Sequence, residues 1–126
     1  MTHRQKDEHA SRSGLVAFEY AYSFADGGPV EEGKVPGEPG RLVPFEVARW
    51  HVEPGTSNDL DEHRSHEMWL VIDGVGELTL DGQVVRISSG EAIMMNSEAP
   101  HRVRNIGDKP FRAFSVYWPP EGRTSQ

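Results

Sequence analysis

Short β-like runs separated by turn residues follow one another through most of this chain, and no stretch shows helical periodicity. Residues 68–72 form an apolar run suited to a strand covered on both faces, and residues 76–80 alternate apolar and polar side chains. The Asp81-Gly82 pair that follows is a strong signal for a tight hairpin. Such closely spaced strands predict an all-β sandwich or barrel. The other predicted strands span residues 15–24, 45–52, 83–87, 92–95, 101–105 and 111–118.

The length of the chain bounds the number of domains. A chain of 126 residues forms one domain that buries about two thirds of its unfolded surface. It therefore does not need disulfide bonds or a structural metal ion in order to fold. We predict a disordered N-terminal tail over residues 1–14, a single domain over residues 15–120 and a polar tail over residues 121–126. His3 and His9 lie in the first tail, where nothing fixes ligand geometry, so they are left out of the candidate site.

Charge and cysteine content narrow the range of partners and compartments. Thirteen basic and twenty acidic residues give a formal charge of -7, which repels nucleic acid and anionic membranes, so we expect neither as a partner. The chain has no cysteine, which suits a reducing compartment. Residues 1–10 lack the apolar core of a secretory signal, and no apolar run reaches membrane-spanning length. We therefore expect a soluble cytoplasmic protein.

Two segments near the N-terminus each allow two interpretations. Residues 15–24 place five apolar side chains on one face of a predicted strand, which either the chain's own sheet or a second copy of the chain must cover. Residues 25–43 are rich in Gly and Pro, which predicts no regular element there. That segment is either a lid over the end of the barrel or a surface connection. The aromatic stripe consists of Val16, Phe18, Tyr20, Tyr22 and Phe24.

Residues 55–74 concentrate carboxylates and imidazoles in front of an apolar strand. Because side chains alternate along an extended backbone, Asp61, His63 and Glu67 share one face. Burying these groups unpaired is costly, whereas a divalent cation bound by their oxygen and nitrogen atoms makes the burial favourable. The alternative is a partly exposed loop with solvated charges that pair with Arg64.

A second stretch, residues 90–105, offers His101 just after Pro100, at the start of another predicted strand. Together the two stretches resemble the paired motifs of the cupin superfamily. The family's first motif runs Gly, five residues, His-x-His, three or four residues, Glu, six residues, Gly. Every spacing is reproduced here, with Asp61 at the position of the first His. The matching residues are Gly55, Asp61, His63, Glu67 and Gly74.

The family's second motif runs Gly, five residues, Pro-x-Gly, two residues, His, three residues, Asn, and its spacing is kept as well. Asn96 replaces the Pro and Glu98 replaces the Gly, which bears on the turn geometry before His101. The resemblance covers residues 45–118. The positions matched in this motif are Gly90, Asn96, Glu98, His101 and Asn105.

The resemblance implies a double-stranded β-helix, the cupin or jelly-roll barrel, with one divalent metal ion bound by His63, Glu67 and His101. Asp61 is then a second carboxylate ligand, a partner that orients His63, or a plain loop residue. Two His and one carboxylate leave positions open for substrate or dioxygen, as in non-haem iron oxygenases. A second carboxylate favours Fe, Mn, Ni or Co without excluding Zn. Many cupins pair or exchange an N-terminal strand, so a homodimer is also implied.

Further site residues are assigned by their position on predicted strands. If the odd-numbered face of residues 45–52 points inward, His51 is a catalytic acid-base group or an extra ligand. If it points outward, His51 is a surface residue beside Glu53. In the family, inward residues of neighbouring strands line the pocket for a small-molecule substrate, although aromatic and Met side chains also fill cores. The substrate-site candidates are Arg49, Trp50, Trp69, Met95 and Tyr117.

Three functions stay open. The first is a metal-dependent enzyme with oxygenase chemistry or Lewis-acid isomerase or cyclase chemistry, such as one that tailors secondary metabolites. The second is a non-catalytic module that binds or senses a small molecule. The chain lacks a DNA-reading segment, which disfavours a self-contained transcription factor. The third is a storage-like barrel that has lost its metal. The predicted metal ligands keep the spacing of the family's motifs, which disfavours this third function. The fold alone does not select the reaction.

Overall fold

The structure is a computed structural model that describes residues 15–25, 27–34, 45–59, 64–96 and 98–119. Within them the chain forms nine β-strands, and no helix there is long and apolar enough to span a bilayer. The predicted tails, residues 1–14 and 121–126, lie outside the described residues. The strands are β1 (Ala17–Ser23), β2 (Pro29–Lys34), β3 (Glu46–Val52), β4 (His66–Asp73), β5 (Val75–Leu80), β6 (Gln83–Ser88), β7 (Ala92–Met95), β8 (His101–Asn105) and β9 (Phe111–Trp118).

The strands form two antiparallel sheets. The larger has the order β1-β2-β3-β9-β4-β7 and the smaller the order β6-β5-β8. Pairs such as β3 with β9 and β5 with β8 join strands that are distant in sequence, so the chain winds between the sheets. One core lies between them, to which Trp69 and Phe111 contribute from the larger sheet and Leu78 and Val103 from the smaller. This arrangement confirms the predicted all-β jelly-roll fold.

The alternation of side chains decides which residues of β4 reach the interior. Glu67, Trp69 and Val71 are buried, whereas Leu70 and Ile72 are exposed on the opposite face. The odd-numbered residues of an extended strand share one face, as the sequence pattern predicts. The carboxylate of Glu67 therefore lies on the same side of the sheet as the core.

The orientation of β3 resolves the alternative left open for residues 45–52. Its even-numbered residues Ala48, Trp50 and Val52 are buried. Across the ladder they pair with the odd-numbered residues of β9, which are also buried. The odd-numbered residues of β3 therefore lie on the outer face of the six-stranded sheet.

A regular strand lies within the segment for which none is predicted from the sequence. β2 pairs with β1 on one side and with β3 on the other, so the prediction for residues 25–43 was wrong there. Proline is tolerated at the first position of a strand, and Val30, which follows Pro29, is buried in the core. Residues 35–44 lie outside the described residues, and the lid hypothesis stays a prediction.

A β-bulge divides the aromatic stripe of residues 15–24. The pairing register between β1 and β2 shifts in the middle of β1, so side chains before and after the shift reach different faces. Phe18 packs on the outer face against Phe114, with ring centroids 5.8 Å apart. Phe24 packs inside against Trp50, with centroids 5.7 Å apart. The expectation of one continuous aromatic face was therefore wrong.

Two turns depend on glycine. Gly82 has φ +84° and follows Asp81 at φ +50° in the two-residue connection of β5 to β6, which confirms the predicted hairpin. Gly74 has φ +96° between β4 and β5, and a Cβ there would lie 2.8 Å from the Cα of Phe111. Only glycine fits at this position, because both its backbone angle and its neighbour exclude a side chain.

Glu98 adopts φ +67°, a left-handed conformation, at the position where the resembling motif has Gly. We expect Glu98→Gly to raise the free energy of unfolding by roughly 0.5–1 kcal/mol, because a side chain is strained in this region. The reverse change, Gly82→Ala at φ +84°, should lower it by about 1 kcal/mol. Urea denaturation measures both. A loss of stability in Glu98→Gly would show that the side chain itself is needed.

Candidate metal centre and ligand cavity

A cavity of about 270 Å³ lies on the inner face of the six-stranded sheet. β1, β2, β3, β4 and β9 all contribute side chains to its wall, and the loop residues Asn58 and Ser65 line it as well. Trp50, Trp69 and Ser115 are buried in this wall. Each strand presents every second side chain to the interior, so residues from five strands meet around one space.

Glu67 is a buried carboxylate in this wall, 7% exposed. Trp69 Nε1 donates a 2.8 Å hydrogen bond to Glu67 Oε2. The Ser115 hydroxyl is a second hydrogen-bond partner of the carboxylate, and Ser115 Oγ accepts a 2.8 Å bond from Trp50 Nε1. The two tryptophans therefore hold the carboxylate in one orientation, one directly and one through Ser115.

His101, on β8 of the smaller sheet, meets Glu67 from the other side of the barrel. Its side chain is 1% exposed, and its Nε2 lies 3.2 Å from Glu67 Oε1. Its Nδ1 lies 2.8 Å from the carbonyl oxygen of Ala99. Because a carbonyl oxygen only accepts, Nδ1 carries a proton. In the doubly protonated ring Nε2 donates to Glu67, whereas in the neutral ring the lone pair of Nε2 can bind a cation held between the two side chains. A histidine that binds a metal through Nε2 has this tautomer, with a carbonyl orienting the ring.

The environment of Glu67 keeps its carboxylate ionised. Burial alone raises the pKa of Glu67, but hydrogen bonds from His101, Ser115 and Trp69, together with positive charge on His101, outweigh it. The resulting pKa is about 2, against an ordinary value of 4.5. A metal ligand or the partner of a cation has to be ionised at neutral pH, and Glu67 meets that condition.

The spacing of the two facing atoms fits two ligands of one ion. Nitrogen and oxygen ligands bind divalent metals at roughly 2.0–2.2 Å, so neighbouring ligands at angles of about 90–109° lie roughly 2.8–3.6 Å apart. Charge-assisted N–H···O bonds are shorter, at about 2.7–2.9 Å. His101 Nε2 and Glu67 Oε1, 3.2 Å apart, are of suitable type and spacing to hold a divalent metal.

The structure does not describe the remainder of the predicted ligand set. In the part of the chain that the structure describes, no group of three or more His, Cys, Asp or Glu side chains is arranged to hold a metal. Asp61 and His63 lie outside the described residues. The structure therefore brings two of the four predicted ligands together, and the other two stay predictions.

Tyr117 lies near several carboxylates in the less buried part of the cavity. Its own burial raises its pKa most, and the charges of Glu46, Glu32 and Glu67, with a hydrogen bond to Glu46, raise it further, to about 12. The phenol therefore keeps its proton at neutral pH. It is a neutral hydroxyl that donates to Glu46.

The segment that leads into the first motif is fixed to the strand that carries His101. Asn58 Oδ1 accepts a 2.8 Å hydrogen bond from Val103 N, and Asn58 N donates to Val103 O at 3.2 Å. The motif residue Asn105 donates through Nδ2 to Val52 O at 2.8 Å. These two buried asparagines therefore connect the end of β3 and Asn58 to β8, the strand that carries His101.

Most of the predicted substrate-site residues are near the cavity. Trp50, Trp69 and Tyr117 line it. Met95 is 1% exposed and pairs with Glu67 across the ladder of β4 and β7. Its side chain belongs to the core beside the carboxylate.

Arg49 and His51 lie on the outer face of β3, so the structure does not bring either to the cavity. The guanidinium of Arg49 pairs with Glu31. His51 Nε2 lies 2.9 Å from Glu53 Oε2. His51 is therefore a surface residue beside Glu53, the second of its two predicted positions. The alternation along β3 turns both side chains outward once Trp50 points inward.

Sequence reasoning missed Ser115 and Glu32, which also line the cavity. Ser115 shares the odd-numbered face of β9 with Tyr117, so alternation along residues 111–118 was a sufficient signal. Glu32 lies on β2, and no inward position could be assigned there while the strand itself was not predicted.

Comparison with known proteins finds similarity over the region from β3 to β9. A family model described as Cupin domain matches residues 48–117. An uncharacterised protein of Methanocaldococcus jannaschii is 30% identical over 70 residues, which cover 55% of this chain and 56% of that protein. The alginate biosynthesis protein AlgA of Pseudomonas putida is 32% identical over 73 residues, which cover 57% of this chain and 15% of that protein. The chain therefore matches about half of the first relative and a small part of the second.

Among solved structures, a predicted oxalate decarboxylase of Thermotoga maritima has a TM-score of 0.66 with this chain at 23% identity, covering 86% of this chain and 97% of that one. At this identity the likeness shows the fold. Because the family model spans more than half of the chain, the chain belongs to the cupin family. The resemblance inferred from the two motifs is confirmed.

The low pKa of Glu67 predicts a pH-dependent effect of Glu67→Gln on the protein after chelator treatment. A lowered pKa stabilises the folded state above pH 4.5, and this contribution is lost as the pH falls towards 2. We expect Glu67→Gln to lower the free energy of unfolding by about 3 kcal/mol at pH 7, with the difference from wild type shrinking towards pH 2. Chemical denaturation across this pH range measures it.

The matched control for this prediction is Glu77→Gln, which removes an exposed carboxylate on β5. It should change stability little at any pH. An effect of Glu67→Gln that stays the same from pH 7 to pH 2 would contradict the assigned pKa.

Proposed function

We propose that this cupin is a metal-dependent enzyme that acts on a small molecule, by oxygenase chemistry or by Lewis-acid isomerase or cyclase chemistry. Its ligands for one divalent ion, Fe, Mn, Ni, Co or Zn, are His63, Glu67 and His101, with Asp61 as a further ligand or as a partner of His63. The composition without cysteine supports a cytoplasmic location. Tailoring of a secondary metabolite is one reaction class that suits such an enzyme.

The observation that carries this proposal is the buried contact between Glu67 and His101. An ionised carboxylate and an imidazole oriented by Ala99 present two ligand atoms 3.2 Å apart. Asn58 and Ser65, which flank Asp61 and His63 in the sequence, both line the same cavity.

A bound divalent ion would polarise a substrate oxygen or activate dioxygen. The residues of the chain determine the surroundings of that chemistry. Trp69 and Ser115 hydrogen-bond to Glu67 and favour one orientation of its carboxylate. The buried indole of Trp50 forms an apolar part of the cavity wall. Tyr117, whose hydroxyl stays protonated and donates to Glu46, can accept a hydrogen bond from a polar group of the substrate.

A binding module without turnover is the second candidate. The carboxylate of Glu67 already accepts hydrogen bonds from Trp69, Ser115 and His101. The protein itself therefore compensates this buried charge, and such a barrel can hold a small molecule without a metal. Metal content distinguishes the two candidates.

We expect protein purified without a His tag to contain about one divalent metal ion per chain, measured by inductively coupled plasma mass spectrometry. His63→Ala and His101→Ala should each lose the metal, because each removes a ligand. His51→Ala, which removes an imidazole from the outer face, is the matched control and should keep it. Circular dichroism checks that the variants fold.

A metal-free wild type, or metal retained in both ligand variants, would favour the binding module. The role of Asp61 has its own test with Asp61→Ala loaded with cobalt. A changed affinity and visible spectrum is expected if Asp61 is a ligand. Unchanged values would exclude that role.

We also propose a homodimer that associates through the outer face of the six-stranded sheet. On this face Leu70, Ile72 and Met94 are 37%, 50% and 44% exposed, and Phe114 and Val116 on β9, next to β4, are half-buried. A contiguous apolar face of this kind is typical of a protein interface. β1 pairs with β2 of its own chain, so the support comes from the sheet face and not from an exchanged strand.

Light scattering tests the dimer. We expect the wild type to have the mass of two chains and the double variant Ile72→Lys/Met94→Lys to have the mass of one, because two charges are costly to bury in an interface. Val84→Lys, at a 62% exposed position on β6, is the control and should leave the mass unchanged. A monomeric wild type would contradict the proposal, and an unchanged dimer after deletion of residues 1–24 would exclude strand exchange.

A further inference from the structure

We infer that the cavity selects small aromatic ligands that are neutral or positively charged and discriminates against anions. The inference names the ligand class of the proposed site and rests on the proposed function only in taking this cavity as the place where the small molecule binds. It requires neither turnover nor a bound metal.

The volume of the cavity limits the size of the ligand. About 270 Å³ is just below the usual range for small-molecule sites, roughly 300–1,000 Å³. The space therefore suits one substituted ring rather than a drug-sized compound.

Aromatic side chains form much of the wall and meet edge to face. The rings of Trp50 and Trp69 have centroids 4.8 Å apart at 69°, and those of Phe24 and Trp50 have centroids 5.7 Å apart at 83°. Tyr22 and Tyr117 add two rings in the less buried part. Rings set at such angles present both edges and faces to one space, which favours a planar aromatic ligand and, at ring faces, a cationic group.

The charges around the cavity are mainly acidic. Glu32 and Glu67 line it, and its described lining residues include no Lys or Arg. Glu46 is hydrogen-bonded to a lining tyrosine. Glu19, opposite Glu32 in the register of β1 and β2, pairs with Lys34 at 3.4 Å. In the described part of the cavity and its rim, four carboxylates are thus accompanied by the ammonium of Lys34 and by the imidazole of His101, which faces Glu67.

This distribution predicts the effect of charge on binding. A carboxylate ligand would lose hydration and meet charges of its own sign, which weakens its binding. An ammonium group would be attracted both by the carboxylates and by the ring faces. A dianion such as oxalate, the compound in the name of the Thermotoga maritima protein, is disfavoured here for the same reason.

Three probes that share a phenyl ring and differ in charge test this inference: phenethylamine, phenethyl alcohol and phenylacetate. Titrations of the full-length protein are followed by tryptophan fluorescence, to which Trp50 and Trp69 contribute from the cavity wall, and by calorimetry. We expect the amine to bind about tenfold more tightly than the acid, with the alcohol between them.

Glu32→Gln should weaken binding of the amine about three- to fivefold without changing binding of the alcohol, because it removes one charge from the cavity. Glu77→Gln removes the same charge from an exposed position on β5 and should leave all three affinities unchanged. The inference is overturned if the acid binds as tightly as the amine, if Glu32→Gln leaves the amine unaffected, or if none of the probes binds.

The same titrations before and after chelator treatment separate this inference from the proposed function. If the protein proves metal-free and the amine is preferred, the ligand class stands and the enzyme proposal fails. If metal is present in stoichiometric amount and the acid is preferred in both states, the metal centre stands and the ligand class is wrong.

Discussion

The contact between Glu67 and His101 joins the two sheets of this barrel at one buried point. Glu67 belongs to β4 of the six-stranded sheet and His101 to β8 of the three-stranded sheet. An ionised carboxylate in the interior is costly unless donors or a cation compensate it. Trp69 supplies one of those donors and is at the same time one of the largest core residues. The core and the site are therefore parts of one packing arrangement, and a change in either affects the other.

Spacing along the chain was sufficient to predict two residues of the site, Glu67 on β4 and His101 on β8. In β4 the apolar residues on the odd-numbered face leave a single direction for Glu67. His101 could be predicted because the second motif places it at the start of a strand, where the turn before it is short. At that turn Glu98 takes the left-handed conformation that Gly would take, so the substitution leaves the position of the histidine intact.

The remainder depends on pairing between distant strands, which a local pattern does not contain. Both faces of β3 are partly apolar, and only its pairing with β9 turns Trp50 inward and His51 outward. The bulge in β1 and the formation of β2 likewise depend on pairing, because β2 forms its hydrogen bonds with β1 on one side and with β3 on the other. Glu32 could not be placed in the cavity for this reason, although it is central to the inferred preference for ligand charge.

Anomalous X-ray diffraction at the absorption edge of the bound metal tests the central claim most directly, on crystals of the protein as purified. We expect one peak at roughly 2.0–2.3 Å from both His101 Nε2 and Glu67 Oε1. The account is contradicted if no peak lies between these two atoms and they form a direct hydrogen bond instead.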